Sequence, residues 1–186
     1  MDDGVASRLA SARLAGTQPI TDTALLRRLR SEATTWINAV RMQRARVEPS
    51  ENRDPWEVEI DLQFLLVALV RLERSVVQAA SEVPTVGVAL QDDLTAYRDG
   101  TVGIRAMRDV GEHTDEYNLS KGRRKDIRRA DVQVWSMGST AGGGLTWTWL
   151  GHELDVDAVT AAAGALYNTF DALLTPILGD SHRIPT

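Results

Sequence analysis

Residues 56–82, WEVEIDLQFLLVALVRLERSVVQAASE, are the stretch that decides the fold of this chain. The middle of the stretch, residues 64–70, is apolar at seven consecutive positions and would place apolar side chains on every side of a helix. A helix of that kind is normally buried among other helices. A membrane-spanning helix needs about 20 apolar residues, so the shorter run predicts the central helix of a bundle and no contact with a membrane.

On both sides of this stretch, apolar residues spaced by three and four predict further helices. They are expected over residues 2–15, 21–46, 85–99, 101–117 and 155–177. The helix over 21–46 is expected to carry arginines on the face opposite its apolar positions, namely Arg27, Arg28, Arg30 and Arg41. The last helix has an apolar seam that suits the inside of a bundle or a dimer face, formed by Val156, Val159, Ala163, Leu166, Phe170, Leu173 and Ile177.

Before the last helix, the spacing typical of helices gives way to alternation with a period of two residues. Residues 132–136 and 145–150 alternate, and the connector over 137–144 contains four glycines, which together predict a β-hairpin within residues 131–150. Trp135, Trp147 and Trp149 lie on this hairpin. Their indoles could pack against the helices or stack on unpaired RNA bases, and we favour packing.

The overall composition fits one soluble domain. The 186 residues predict a mainly α fold, a single antiparallel helical bundle over 1–186 with the β-hairpin inserted before the last helix and a flexible tail over 179–186. Because the chain has no cysteine, disulfides, thiolate metal sites and cysteine nucleophiles are excluded. A net charge of −5 excludes a generally basic surface. The first residues do not resemble a secretory signal, so we expect a cytoplasmic protein.

The segment most informative about function is RAMRDVGEHTDEY, residues 105–117. It contains Arg108, followed directly by Asp109 and, after three more residues, by His113. An arginine, a polar residue and a histidine at this spacing on a helix resemble the motif of the HEPN superfamily. The resemblance implies a small bundle built on two long helices. It also implies a metal-independent endoribonuclease of a toxin or defence system, with a composite site across a homodimer and no cofactor.

The residue types suit RNA cleavage through the ribose 2′-hydroxyl. His113 could take the hydroxyl proton or protonate the leaving oxygen, and Arg108 could stabilise the phosphate. Asp109 lies one helical turn before His113 and could orient its imidazole by a hydrogen bond. Arg108 and His113 point about 140° apart on a straight helix, so a dimer or a helix bent at Gly111 is needed to bring them together.

A basic segment, residues 121–129 (KGRRKDIRR), begins eight positions after His113. It carries six positive charges and one negative charge in an otherwise acidic chain, which favours a phosphate backbone such as that of RNA. The alternative is a solvated loop balanced by nearby acidic residues. The expected RNA-binding residues are Lys121, Arg123, Arg124, Lys125, Arg128 and Arg129.

Other interpretations of the same residues stay open. Arg108 and Glu112, and Arg105 and Asp109, could be ordinary surface ion pairs one turn apart. Asp109, His113 and Glu116 share a helix face and could hold a divalent ion, with help from acidic residues of the 56–82 helix: Glu57, Glu59 and Asp61. The chain could also be a catalytically silent helical module that binds a nucleotide or a protein partner, such as an antitoxin, through the hairpin and the last helix.

Overall fold

The computed structural model describes residues 23–48 and 53–179. The chain is mainly helical, with a small antiparallel sheet before the last helix. The expected helix over 2–15 and most of the expected tail over 179–186 lie outside the described residues. The elements in chain order are α1 Thr23–Arg46, α2 Pro55–Glu82, α3 Pro84–Gly100, α4 Ile104–Glu112, α5 Thr114–Asn118, α6 Arg129–Val132, β1 Trp135–Ser139, β2 Leu145–Trp149, β3 His152–Asp155 and α7 Val156–Leu178.

The central helix is α2, as its apolar run predicts. It packs against α1, α3, α4 and α7. Pro55 occupies its first position, and the Glu57 side chain accepts a hydrogen bond from the Asp54 backbone N–H at 3.2 Å, which fixes its start. The prediction that residues 64–70 are buried on every side is wrong at Phe64, which is 57% exposed. No helix described here is long and apolar enough to span a membrane.

Helix α1 buries Leu26, Leu29 and Ala33, but it also buries one of the arginines expected on its outer face. Arg30 is only 6% exposed. Its guanidinium donates to the Asp171 carboxylate at 2.7 Å, the Thr175 hydroxyl at 2.8 Å and the Gly179 carbonyl at 2.8 Å. The expected exposure of Arg30 is therefore wrong, because the end of α7 supplies acceptors for a buried guanidinium.

The helix expected over residues 101–117 is divided into α4 and α5. The backbone leaves the helical region at His113, with φ −123° and ψ 28°. At the break, the Thr114 hydroxyl donates to the carbonyls of Val110 and Gly111 at 3.1 and 3.0 Å. These are carbonyls at the end of α4 that need partners other than its own N–H groups, so Thr114 stabilises the end of the helix.

The predicted hairpin is part of a three-stranded antiparallel sheet with strand order β1-β2-β3. Residue 132 was expected to begin the first strand but belongs to α6, and β1 begins three residues later at Trp135, opposite Trp149. The third strand was not expected. Leu150 and Gly151, with φ 54° and 75°, form a tight turn that pairs β2 with β3.

The tryptophans and the last helix complete the core. Trp147 and Trp149 are buried, with stacked rings whose centroids are 5.5 Å apart, so packing rather than base stacking is confirmed for these two residues. The Trp149 indole N–H donates to the Val132 carbonyl at 3.1 Å. The α7 seam from Val156 to Leu173 is buried within the same chain against its neighbouring elements, including α1 and α3, and is not open to a second copy.

Candidate functional site

Arg108 lies in the middle of α4 and faces acidic residues of its own helix. Its Nη1 atom pairs with the Glu112 carboxylate and lies 3.3 Å from Asp109 Oδ1. The side chain is 17% exposed, and its Nε atom is buried without a hydrogen-bond partner among the described residues. The ion pair between Arg108 and Glu112, one of the interpretations open from the sequence, is therefore present.

His113 stands at the break between α4 and α5. Its side chain is 42% exposed, and its Nδ1 atom lies 3.5 Å from Glu116 Oε1. The hydrogen bond expected between Asp109 and His113 is not formed, because Asp109 pairs with Arg108 and the helix ends before His113. Within one copy, Arg108 and Asp109 lie on α4 and His113 lies just after its end, and the three residues do not form one constellation.

The motif helix lies very close to α2. A Cβ atom added at Gly111 would come within 2.1 Å of Gln63 Oε1, so only glycine allows this approach without a shift of the glutamine. Gln63 is the direct neighbour of the exposed Phe64. The end of α4 that carries His113 therefore borders the exposed side of α2.

The basic segment is fastened to α5 by Tyr117. The Tyr117 hydroxyl accepts from the Arg124 backbone N–H at 3.3 Å, and its ring covers Gly122 so closely that a Cβ there would lie 2.3 Å away. Arg124 pairs with Asp126 at 2.8 Å. The other basic side chains of the segment are exposed and have no carboxylate partner among the described residues: Lys121, Arg123, Lys125, Arg128 and Arg129.

Beside α4 lies a cleft of about 660 Å³ that the sequence did not indicate. At its base, Glu73 of α2 is 2% exposed and accepts from Arg98 Nε at 2.7 Å and pairs with Arg105 Nη2 at 2.8 Å. Burial raises the pKa of Glu73, but the hydrogen bonds from both arginines outweigh it and hold the pKa below its usual value. Glu73 is therefore a buried carboxylate in its charged form.

Three further side chains bring charge or hydrogen-bonding groups to the cleft. Asp109 comes from the motif, Arg124 from the basic segment and His152 from β3. Two of the predicted site residues, Asp109 and Arg124, thus line the cleft. Four other lining residues were not predicted as site residues: Glu73, Arg98, Arg105 and His152. One signal was available for Glu73, which lies four residues after Leu69 and three before Val76, on the buried face of α2.

Comparisons of the chain with protein-family models, with curated proteins and with solved structures find no match. The chemistry of the site is therefore judged from its own side chains. Among the described residues, no group of three or more histidine and carboxylate side chains is placed to hold a metal ion. This includes the set Asp109, His113 and Glu116 considered from the sequence.

Proposed function

We propose that the protein is a HEPN-like, metal-independent endoribonuclease whose catalytic site is shared between two copies. The observation that carries the proposal is the position of His113, a half-exposed imidazole at the end of α4, shortly before an exposed basic segment. Tyr117 holds that segment against α5, only four residues after His113. A polyanion bound along residues 121–129 would therefore run close to a group able to transfer protons.

The roles of the motif residues follow from their contacts. His113 moves a proton to or from the ribose 2′-hydroxyl or the leaving oxygen. Glu112 and Asp109 both contact the Nη1 atom of Arg108, which leaves the Nη2 donors free. Through Nη2, Arg108 stabilises the developing charge on the phosphate. Asp109 orients Arg108 in this proposal, which replaces the expected role of orienting His113.

A second copy is needed because Arg108 and His113 have separate partners within one copy. The surface we propose for the homodimer is an apolar stripe on α2 formed by Trp56, Ile60 and Phe64. Their exposed fractions are 59%, 46% and 57%, and their spacing of four places them along one side of the helix. Gln63 beside the stripe contacts Gly111, so two copies joined here would bring their α4 ends close together.

The proposal is tested by RNA cleavage in the presence of a metal chelator. Single-stranded RNA should yield ends with a 2′,3′-cyclic phosphate, because the 2′-hydroxyl is the nucleophile. His113→Ala should lower the rate about 10²–10⁴-fold, and Arg108→Ala on the order of 10²–10³-fold. The exposed Arg41 on α1 provides a matched control, since Arg41→Ala removes the same charge away from the motif. Cleavage that survives His113→Ala unchanged would sink the assignment.

A second candidate is a catalytically silent module that binds a protein partner. It is favoured by the state of the motif within one copy, where Arg108 is paired with Glu112 and His113 lies beside Glu116. The partner, an antitoxin or another regulatory protein, would cover the α2 stripe, because the α7 seam and two of the hairpin tryptophans are buried. Monomeric wild-type protein that cuts no RNA would favour this candidate, because its α2 stripe would be open to a partner.

A further inference from the structure

We propose that the cleft beside α4 is a binding site for the phosphate group of a small phosphorylated molecule, such as a nucleotide. The cleft shares Asp109 with the motif and Arg124 with the basic segment, but phosphate binding there does not require that the chain cuts RNA. Its principal ligand groups are the guanidinium groups of Arg98, Arg105 and Arg124. Three separate parts of the chain supply them: α3, α4 and the basic segment.

Buried Glu73 is the organising group of this cleft. One carboxylate needs one cation for neutrality, yet two guanidinium groups approach it, at 2.7 and 2.8 Å. Their side chains remain 48% and 64% exposed, so the Glu73 contacts fix them without covering them. Each guanidinium has five N–H donors, and most of those on Arg98 and Arg105 have no acceptor among the described residues.

The remaining charges around the cleft leave it cationic. Asp109 is the second carboxylate of the lining, and it shares Arg108 Nη1, which lies outside the cleft, with Glu112. Arg124 pairs with Asp126 yet stays 41% exposed. The lining thus holds three guanidinium groups against two carboxylates, an excess of one positive charge.

The shape of the cleft and its donors match a phosphate ester. A volume of about 660 Å³ is in the range of small-molecule sites in proteins. Guanidinium forks bind phosphate oxygens in pairs, and a phosphate offers more acceptor oxygens than a carboxylate. His152 forms one wall, packed so tightly on Gly103 that a Cβ there would lie 2.5 Å from its ring, and Val102 adds an exposed apolar surface for the rest of a ligand.

Isothermal titration with ADP, pyrophosphate and adenosine tests the site. ADP and pyrophosphate should bind and adenosine should not, and raising the salt concentration should weaken binding. Arg105→Gln should weaken ADP binding about ten- to a hundredfold, as expected for loss of a charge-assisted hydrogen bond. The matched control Arg41→Gln should bind ADP as the wild type does.

Arg105→Gln removes a partner of buried Glu73 and could unfold the protein, so Arg124→Gln is the second variant. Arg124 is exposed and makes no contact with Glu73, and its loss should also weaken ADP binding. His113→Ala should leave ADP binding unchanged, which separates this site from the nuclease proposal. Adenosine binding as tightly as ADP, or Arg124→Gln binding ADP like wild type, would overturn the proposal.

Discussion

Glu73 shows how a single buried charge is stabilised in this protein. Desolvation of a carboxylate disfavours its charged form, and two guanidinium groups from α3 and α4 compensate for it. A third nearby group, Tyr97, is 1% exposed, and burial raises the pKa of its phenol, so it stays neutral and donates to the Leu69 carbonyl at 2.9 Å. The charge of Glu73 therefore links α2 to the two helices that follow it.

Replacing Glu73 by glutamine should destabilise the protein most at neutral pH. Because the folded pKa of Glu73 lies below the usual glutamate value of 4.5, its stabilising contribution is present above about pH 4.5 and is lost as the pH falls through the folded pKa. Glu73→Gln should cost about 1.5–3 kcal/mol at pH 7, the range for hydrogen bonds to charged groups. Urea unfolding at pH 7 and at pH 3 would measure both values.

The difference in unfolding free energy between the wild type and Glu73→Gln should be smaller at pH 3 than at pH 7, since protonated Glu73 resembles glutamine. The exposed Glu82 on α2 is the matched control, and Glu82→Gln should change the unfolding free energy little at either pH. An equal loss for Glu73→Gln at both pH values would show that the charge of Glu73 contributes nothing.

Individual side chains also mark the limit of what sequence patterns reveal. The ion pair between Arg108 and Glu112 was open from the sequence because its partners are one helical turn apart. The burial of Arg30 was missed because its acceptor Asp171 lies 141 positions away in the chain. A helical pattern gives the face of a residue but not the partner that another element brings to it.

At the scale of elements, strand β2 is the centre of the sheet and carries two tryptophans with different hydrogen bonding. The Trp149 indole N–H reaches the Val132 carbonyl, whereas the Trp147 indole N–H is buried without a partner among the described residues. Trp149→Phe should therefore cost about 1 kcal/mol more than Trp147→Phe, since both remove similar volume but only one breaks a hydrogen bond. Paired urea titrations would reveal the difference, and equal losses would contradict it.

The basic segment is the element expected to set the affinity for RNA. Reversing Arg123 and Arg128 to glutamate should weaken RNA binding and flatten its dependence on salt. Each lost contact with a single-stranded phosphate should reduce the slope of log K against log salt by about 0.7. The matched control replaces two exposed arginines of α1, Arg27 and Arg41, by glutamate, which changes the net charge by the same amount. This control should leave the slope near that of the wild type. An unchanged slope in the segment variant would remove residues 121–129 from the RNA-binding surface.

The elements themselves were mostly accessible from the sequence. The spacing of apolar residues predicted α1, α2, α3 and α7 closely, because each buries one broad face. The break at His113 and strand β3 were not predicted. The break depends on the Thr114 hydroxyl, which caps carbonyls at the end of α4, and β3 depends on a left-handed turn at Leu150. Such local backbone features leave no periodic signal in the sequence.

For the whole molecule, the apolar stripe on α2 predicts self-association. Wild-type protein should be a dimer by light scattering at micromolar concentrations. The double variant Ile60→Glu and Phe64→Glu should be a folded monomer, because both side chains are exposed in the single copy and their replacement removes only the apolar contact. It should also lose RNA cleavage while keeping His113.

The matched control for the stripe is Val88→Glu on α3, which changes a side chain that is 80% exposed but lies outside the stripe. It should remain dimeric. A monomeric wild-type protein would exclude a catalytic site shared between two copies, and the silent module would remain as the candidate function.

The convergence of Glu73, Arg98 and Arg105 could not be predicted from the sequence, since it depends on how three helices are placed around one another.

The hydrogen bonds between Arg30 and the end of α7 have a consequence for chain connectivity. Arg30 is seven residues, or about 10 Å along the helix, from Thr23 at the start of α1, and its guanidinium binds the Gly179 carbonyl. The first and last described elements thus meet at one end of the bundle. A circular permutant that joins residue 179 to residue 23 by a short glycine-serine linker, and opens the exposed turn at Ala141 and Gly142, should fold with the same helical content by circular dichroism.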